Sequence, residues 1–344
     1  MPVSVIGIDL AKTVFQVHGV DDSGRPILLK QLRREQMMSF FVQIPPCLIG
    51  MEACASAHHW ARKVQGLGHN VRLMAPHFVK PYVKSNKNDA ADAEAICEAV
   101  RRPTMRFVPV KNIEQQAALA LHRVRQSLVK SRTAQANQIR GLLAEYGLVM
   151  PARISSVRSG VPKLLDEAAG WLPGVFSELI SGLLDHLGSL DQRVMVLERQ
   201  IQLWHRDNAF SRRLEDVPGI GPLTASALVA SIGDAKQFST GRQLAAWFGL
   251  VPRQYSTGGK PRLLGISKRG DSYLRTLLIH GARSALRTAH RKSIGERWLD
   301  GLLERRHRNI VAVALANKNA RIVLALLARD RIYDDNFERP LQTA

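Results

Sequence analysis

Four acidic residues in the first hundred positions have types and spacing that can do chemistry: Asp9 in VIGIDLAK, Glu52 in LIGMEA, and Asp89 with Asp92 in KNDAADAEAI. Asp9 and Glu52 each lie in or just after a short apolar run of the kind that forms a buried strand. The ends of buried strands rarely carry unpaired carboxylates. Asp89 and Asp92 are three apart in a helical pattern and so share one helix face. Carboxylates converging from two strands and a helix repel one another unless cations neutralise them. Hard oxygen ligands of this kind suit Mg²⁺, with Mn²⁺ as the alternative. Two such ions can clamp the attacking and leaving oxygens of a phosphodiester. Taken singly the signals are weak: most D-x-x-D pairs are helix surface, and an Asp after a strand often caps a turn. Beside the acids, Lys12 either reaches a phosphate or lies exposed. Asn88 reads as a helix cap, and Lys87 either helps the site or flanks that cap.

The elements that must position these acids follow from periodicity. SVIGIDL and TVFQVHGV read as strands, and the DDSGRP turn leads to ILLKQL, which completes a hairpin. MSFFVQI is a short helix, CLIGMEA a strand, HHWARKVQGLG an amphipathic helix closed by glycine, and HNVRLMAP a further strand. KNDAADAEAICEAV is a helix that Arg101, Arg102 and Pro103 end. This order, a mixed sheet flanked by helices, is that of an RNase H-like (RuvC-like) α/β domain over residues 1–110. Strand signals then stop. A long helix over 113–148 and another over 175–205 flank a Gly/Pro-broken segment, PARISSVRSGVPKLLDEAAGWLPG. Two such helices most often pair as an antiparallel coiled coil, so residues 111–210 read as a helical linker and oligomerisation region. Residues 211–344 form a mainly helical C-terminal domain.

Composition narrows the partner. The chain has 344 residues, enough for two or three domains, and 45% hydrophobic content, enough for packed cores. Lys and Arg number 49 against 29 acids, a formal charge of +20 that favours a polyanionic partner. Cys47, Cys54 and Cys97 show neither CxxC nor Cys/His ligand spacing and read as buried small hydrophobes in a reducing compartment. The N-terminus lacks the pattern of a signal peptide, and no apolar stretch is expected to approach the roughly 20 residues that span a bilayer. The expectation is a cytoplasmic protein with no membrane partner.

Two later motifs fit a nucleic-acid partner. In LEDVPGIGPLTASALVASIGD, Pro218-Gly219-Ile220-Gly221 falls between two helical patterns and resembles a helix-hairpin-helix. Gly219 and Gly221 permit close backbone approach, and the next helix N-terminus offers amides to a phosphate; the bland alternative is an ordinary turn. In GLVPRQYSTGGKPRLLGISKRGD, a flexible Ser-Thr-Gly-Gly loop sits among Arg253, Lys260, Arg262, Lys268 and Arg269, which read as phosphate contacts. A serine there can act as a nucleophile only when something activates it. No neighbouring His or Asp completes a triad.

Together GIDLAK, GMEA, KNDAADA, VPGIG, GLVPRQYSTGGK and ISKRGD resemble the motifs of a DEDD-type insertion-sequence transposase of the Piv-like, IS-one-ten family, most of all its IS-eleven-eleven branch. They lie in family order over nearly the whole chain. The resemblance implies a RuvC-like domain, a coiled-coil linker, a C-terminal transposase domain and a composite active site. It implies Mg²⁺ on Asp9, Glu52, Asp89 and Asp92. It also implies a serine of the C-terminal loop that attacks the DNA phosphate and forms a covalent phosphoserine. Aligned by the branch pattern, that serine is Ser256; aligned by the glycine, its place falls to Thr257; Ser267 is a poorer fit. The implied partners are donor and target DNA, an element-encoded noncoding (bridge or seeker) guide RNA, and further copies of the chain, a dimer or a tetramer on DNA. Two other functions compete: a hydrolytic structure-specific nuclease of the Holliday-junction type, and a noncatalytic nucleic-acid binder with vestigial acids.

Overall fold

The structure, a computed structural model, describes residues 2–84, 88–292 and 297–334, with the side chains of 289–297 left out. The chain divides into two compact units, Met1–Glu114 and Gln115–Ala344.

The first unit is built on a six-stranded mixed sheet. β1 (Val5–Leu10), β2 (Val14–Val20) and β3 (Pro26–Arg33) form an antiparallel meander; β4 (Leu48–Glu52) and β5 (Asn70–Met74) then run parallel to β1; β6 (Phe107–Val108) closes the far edge antiparallel. The spatial order is β3-β2-β1-β4-β5-β6. The central strands are apolar along their length, as strands covered on both faces must be. On one face, Ile6, Ile8, Phe15 and Val17 pack with α1 (Met37–Val42) and α2 (Ala57–Gln65), burying Phe41, Trp60, Ala61 and Val64. On the other face, after the short α3 (Pro76–Val79), α4 (Asp89–Val100) covers Val5 and Val20 with Ala95, Ile96, Ala99 and Val100.

Two glycines decide how closely α4 settles. A Cβ on Gly7 would stand 2.2 Å from the Ala93 carbonyl oxygen and 2.4 Å from the Cys97 nitrogen. A Cβ on Gly50 would stand 2.8 Å from Cβ of Val100. The two glycines are register partners on neighbouring parallel strands, so they make one shallow groove beneath the helix.

The second unit is mainly helical. α5 (Ile113–Ala144) begins at the division, and α6 (Ile154–Glu167) and α7 (Gly174–Asp207) follow. α5 and α7 run antiparallel: Arg125 pairs with Glu198, Arg132 with Asp191, and the Tyr146 ring lies 4.2 Å from that of Phe176. Buried positions on α7 fall at Phe176, Ile180, Leu187, Leu190, Val194 and Ile201, in steps built from threes and fours. The segment expected to be broken is instead helical as α6, which runs through Pro162. Its Val157 and Val161 are fully buried beside Ile139, Leu143 and Ile180. That burial outweighs the hydrogen bond the proline removes.

Beyond it lie α8 (Ala209–Arg213), α9 (Pro222–Ile232), α10 (Gly241–Trp247), a hairpin of β7 (Pro252–Gln254) and β8 (Leu263–Ile266), α11 (Ser272–Lys292), α12 (Arg297–Leu303) and α13 (Arg308–Ala328). α9 is buried from Thr224 to Ile232 and forms the centre of this core. α13 corrects the expectation about apolar stretches. It is 21 residues long with mean hydropathy 1.7 in its most apolar stretch, long and apolar enough to cross a bilayer, and half of that stretch is buried. Val311, Ala312, Leu315, Ala316, Ala320 and Val323 pack into the core, so its apolar character has a use within the fold.

Candidate metal centre and nucleic-acid interface

Side chains alternate along a strand, so residues two apart share a face. Gly7 lies under α4, and therefore Asp9 emerges on the α4 side of the sheet at the end of β1. Gly50 also lies under α4, and Glu52 ends β4 on the same side, next to Asp9 in the parallel register. The close seating of α4 on Gly7 carries its first turn to that strand end. Asn88 caps α4 by accepting from the Ala91 amide at 2.7 Å, which fixes where the helix begins and so where Asp89 and Asp92 project. Lys87 lies outside the described residues.

Carboxylate oxygens of Asp9, Asp89 and Asp92 all lie within 4.8 Å of one another. Asp9 and Asp92 are half-buried and Asp89 is exposed. Oxygens that share one hard cation at roughly 2.0–2.6 Å stand no more than about 4–5 Å apart, so the donor set and its spacing fit a divalent ion. Glu52, also half-buried, stands outside the triplet. Cys54 lies beside it: burial first, then the charges of Glu52 and Asp9, push its thiol pKa up. Cys47 and Cys97 are buried, and burial pushes both thiols up to about 11, as befits inert core residues.

In the second unit, Gly219 has φ +88, and a Cβ there would stand 2.6 Å from the Gly281 carbonyl oxygen. Its freedom lets the turn press against α11. The Pro218 carbonyl accepts from Asn319 Nδ2 at 2.8 Å. Gly221 is exposed, with open space where a Cβ would be, at the N-terminus of α9.

The Ser-Thr-Gly-Gly stretch, expected to be a loose loop, is the tip of a hairpin. Thr257 bridges Lys260, with Gly258 at φ +55 and Gly259 at φ +75. Two successive positive φ values make a type I′ turn, whose twist matches that of the strands. Tyr255 donates its amide to the Arg262 carbonyl at 2.9 Å. Ser256 is exposed; its Oγ accepts from Gln254 Nε2 at 2.9 Å and from the Arg262 amide at 3.2 Å. Arg253, Lys260, Arg262, Lys268 and Arg269 are all exposed on this hairpin and the turn that follows it. Ser267 is half-buried, and its amide donates to the Val251 carbonyl at 2.8 Å.

What holds the hairpin's base leaves little local signal in the sequence. A Cβ on Gly249 would stand 2.1 Å from the Arg269 carbonyl oxygen, and one on Gly270 2.0 Å from that of Trp247. Arg275 donates to the Phe248 and Arg269 carbonyls at 3.0 and 3.2 Å. Lys268 is held at φ +55, unusual for a residue with a side chain. Isolated glycines flanking a basic stretch were the available signal. A buried polar relay was also missed. His122 of α5 meets Tyr273 Oη at 3.0 Å and Ser226 Oγ at 3.1 Å, and burial, aided by the Arg125 charge, pushes its pKa down to about 4.

A clustered carboxylate triplet on a strongly basic chain is the arrangement expected of an enzyme acting on nucleic acid. Comparison with known proteins makes the class specific. Residues 6–148 match a family model of DEDD transposases of the IS110 type, described as "Transposase", and residues 211–298 match one described as "Transposase IS116/IS110/IS902 family". The chain is 57% identical over 97% of its length, and 99% of the relative's, to the "Probable family 20 transposase" of Pseudomonas aeruginosa. It is 46% identical over 96% of its length, and 91% of the relative's, to the "Transposase for insertion sequence element IS1111A" of Coxiella burnetii. It is 43% identical over 96% of its length, and 98% of the relative's, to the "Transposase for insertion sequence element IS1328" of Yersinia enterocolitica. The chain belongs to the IS110/IS116 family of insertion-sequence transposases. It is an enzyme that binds DNA and catalyses its cleavage and strand transfer, in a family that usually uses a divalent metal.

Proposed function

We propose that the chain moves its insertion sequence by a covalent serine–DNA intermediate, with Mg²⁺ held by Asp9, Glu52, Asp89 and Asp92. The observation that carries this reading is the meeting of Asp9, Asp89 and Asp92 oxygens within 4.8 Å, from a strand end and a helix start. The sheet order supports an RNase H-like, RuvC-like nuclease domain: an antiparallel meander, then parallel β4 and β5, with acids on β1, β4 and α4. A divalent ion bound there supplies charge neutralisation at a phosphodiester. Ser256 is assigned as nucleophile because it stands exposed on a hydrogen-bonded hairpin among basic residues. Those residues, with the exposed Gly221 turn, bind phosphate backbone. Gly219 belongs to the same phosphate-binding turn and also packs against Gly281.

The second polyanion is the element-encoded guide RNA that the family resemblance implies; the charge of +20 suits any polyanion, DNA or RNA. The antiparallel α5–α7 pair is read as a coiled-coil region, with residues from 211 onward as a C-terminal transposase domain. Strand exchange needs more than one cut, so the working assembly is a dimer or a tetramer on DNA. Such an enzyme works in the cytoplasm without a membrane partner. The test is to incubate the protein, guide RNA and Mg²⁺ with element-end DNA and resolve the products under denaturing conditions. A protein–DNA adduct that depends on Ser256 is expected. Cleavage without any adduct would replace this reading with the hydrolytic Holliday-junction-type nuclease.

A further inference from the structure

The strand end that carries Asp9 has a second, basic side. Ile6, Ile8 and Leu10 face α2, opposite to Asp9, and β1 leads from there into the β1–β2 turn. Arg34 follows β3 and is tied to that turn: its amide donates to the Thr13 carbonyl at 3.0 Å and its Nη1 to the Lys12 carbonyl at 3.4 Å. Its guanidinium lies 5.2 Å from the centre of the Trp60 ring and 5.9 Å from that of Phe15. The two rings pack edge to face at 5.3 Å, so the platform under the cation is part of the core and does not move freely.

Three observations mark this as a place prepared for an anion. First, Arg34 is exposed, and no described carboxylate forms an ion pair with it. A surface arginine with no partner usually samples many rotamers, whereas a stacked and hydrogen-bonded one has already lost that entropy. Second, Trp60 is 6% exposed with its Nε1 enclosed in the core, so its ring is a fixed platform for the guanidinium and its N–H is no part of the anion site. Third, like charges gather rather than disperse: Lys63, Arg62 and Arg34 all bear on the exposed His59, which packs on Trp60 at 5.2 Å and whose pKa is pushed down by burial first and by these charges next, with Lys12 on the adjoining turn. Mutual repulsion without a counter-charge costs stability, and a bound anion removes that cost.

We propose that Arg34, stacked on Trp60 and supported by Lys12, is a positioning site for a backbone phosphate of the DNA strand being cut, a neighbour of the scissile phosphate. Held on the opposite face of the same strand end, it orients the strand across the carboxylate triplet. A planar guanidinium suits this role because its fork matches phosphate oxygens while its face keeps the aromatic stack. The inference rests on the metal-centre reading for what the strand is oriented toward, but the binding itself needs no metal.

The experiment is therefore run in EDTA, with the full chain and element-end DNA in which single phosphates near the cut are replaced by neutral methylphosphonates. Wild-type protein should lose affinity most at one flanking phosphate. Arg34→Gln should bind unmodified DNA about eightfold more weakly at 0.1 M salt, with the salt slope shallower by about 0.9, the value for one phosphate contact. It should lose nothing further at that flanking position. Arg34→Lys, which keeps the charge but not the fork, should fall between the two. Melting curves identify any variant that fails to fold; in that case Arg34→Lys alone is compared with wild type, and an unchanged methylphosphonate profile overturns the proposal. An unchanged salt slope and profile in folded Arg34→Gln also overturns it. Because no metal is present, loss of the covalent-intermediate reading would leave this coupling intact, and loss of the coupling would leave that reading intact.

Discussion

Gly7 lies so close beneath α4 that a Cβ would stand 2.2 Å from the carbonyl oxygen of Ala93. The obstruction is backbone, which cannot swing aside as a side chain can. Two residues further on is Asp9, and one turn before Ala93 is Asp89. The contact that seats the helix thus also sets the distance between the carboxylates.

Gly7→Ala should accordingly lift α4 and disturb the triplet. Overpacking of this kind costs about 1–3 kcal/mol, and more when backbone must move. Urea unfolding should show that loss, and Mn²⁺ titration should show weaker binding. Gly50→Ala, whose nearest obstruction is the Val100 side chain, should cost less. Equal stability of Gly7→Ala and wild type would rule out the close seating.

The acids can be tested without DNA. Asp9→Asn, Asp89→Asn or Asp92→Asn should abolish strand exchange while raising the melting temperature of the metal-free protein, because each removes like-charge repulsion within the triplet. Added Mn²⁺ should stabilise wild type but not these variants. Glu52→Gln should abolish exchange yet weaken Mn²⁺ stabilisation less, since Glu52 stands outside the triplet. A strand-exchange-competent Asp9→Asn protein would remove Asp9 from the site.

Much of the first unit was legible because its signals are local. Apolar runs gave β1, β2, β4 and β5; turn residues gave the meander; and Asn88 gave the start of α4. What escaped depended on partners far apart in sequence. α6 hides in a Gly/Pro-rich stretch because its reason to be helical is the burial of Val157 and Val161 against α5 and α7. α13 could not be recognised as a core helix without the surfaces it packs on. Gly219 reads equally well as a phosphate-approach glycine and as a packing glycine until Gly281, 62 positions later, is seen against it. The Gly258-Gly259 pair needed only the hairpin-turn rule, and the strand signal on either side was too short to invoke it.

His122 gives a pH prediction. Ser226 Oγ lies 2.7 Å from the Pro222 carbonyl and donates to it, so it accepts from His122 Nε2–H, and His122 Nδ1 accepts from Tyr273 Oη–H. A proton on Nδ1 would break that relay. The folded-state pKa of about 4 lies below the unfolded value of 6.5. The stability is therefore complete above pH 6.5 and lost as pH falls toward 4, by about 3 kcal/mol across the window. His122→Gln should be less stable at pH 7.5 and lose less on acidification. Denaturant midpoints from pH 7.5 to 4.5 read this directly, and parallel curves for the two proteins would discount the relay.

The basic hairpin should bind backbone without reading sequence. Arg262→Ala and Lys268→Ala should each flatten the salt dependence of DNA affinity by about 0.9 in slope and weaken specific and nonspecific DNA alike. Selective loss on the element end alone would make either residue a base reader.

The proposed nucleophile, Ser256, is set apart from Thr257 by the pleat. Tyr255 and Arg262 are paired across the ribbon and Thr257 bridges Lys260, so Ser256 and Thr257 project from opposite faces. Gln254 shares the Ser256 face, and its Nε2 already donates to Oγ at 2.9 Å. A hydroxyl that only accepts keeps its own proton free to leave, whereas Thr257 presents its hydroxyl away from this arrangement. Ser256→Ala should still bind RNA, DNA and Mg²⁺ but form no adduct, and Thr257→Ala should keep appreciable activity. Gln254→Ala should slow adduct formation without abolishing it. Gly259→Ala, strained at φ +75, should slow it by loosening the turn that fixes Ser256. Peptide mapping of the trapped adduct separates the possibilities: DNA on Ser256 is the expected outcome, and DNA on Thr257 or Ser267 would mean that the opposite face of the ribbon, or its base, meets the phosphate.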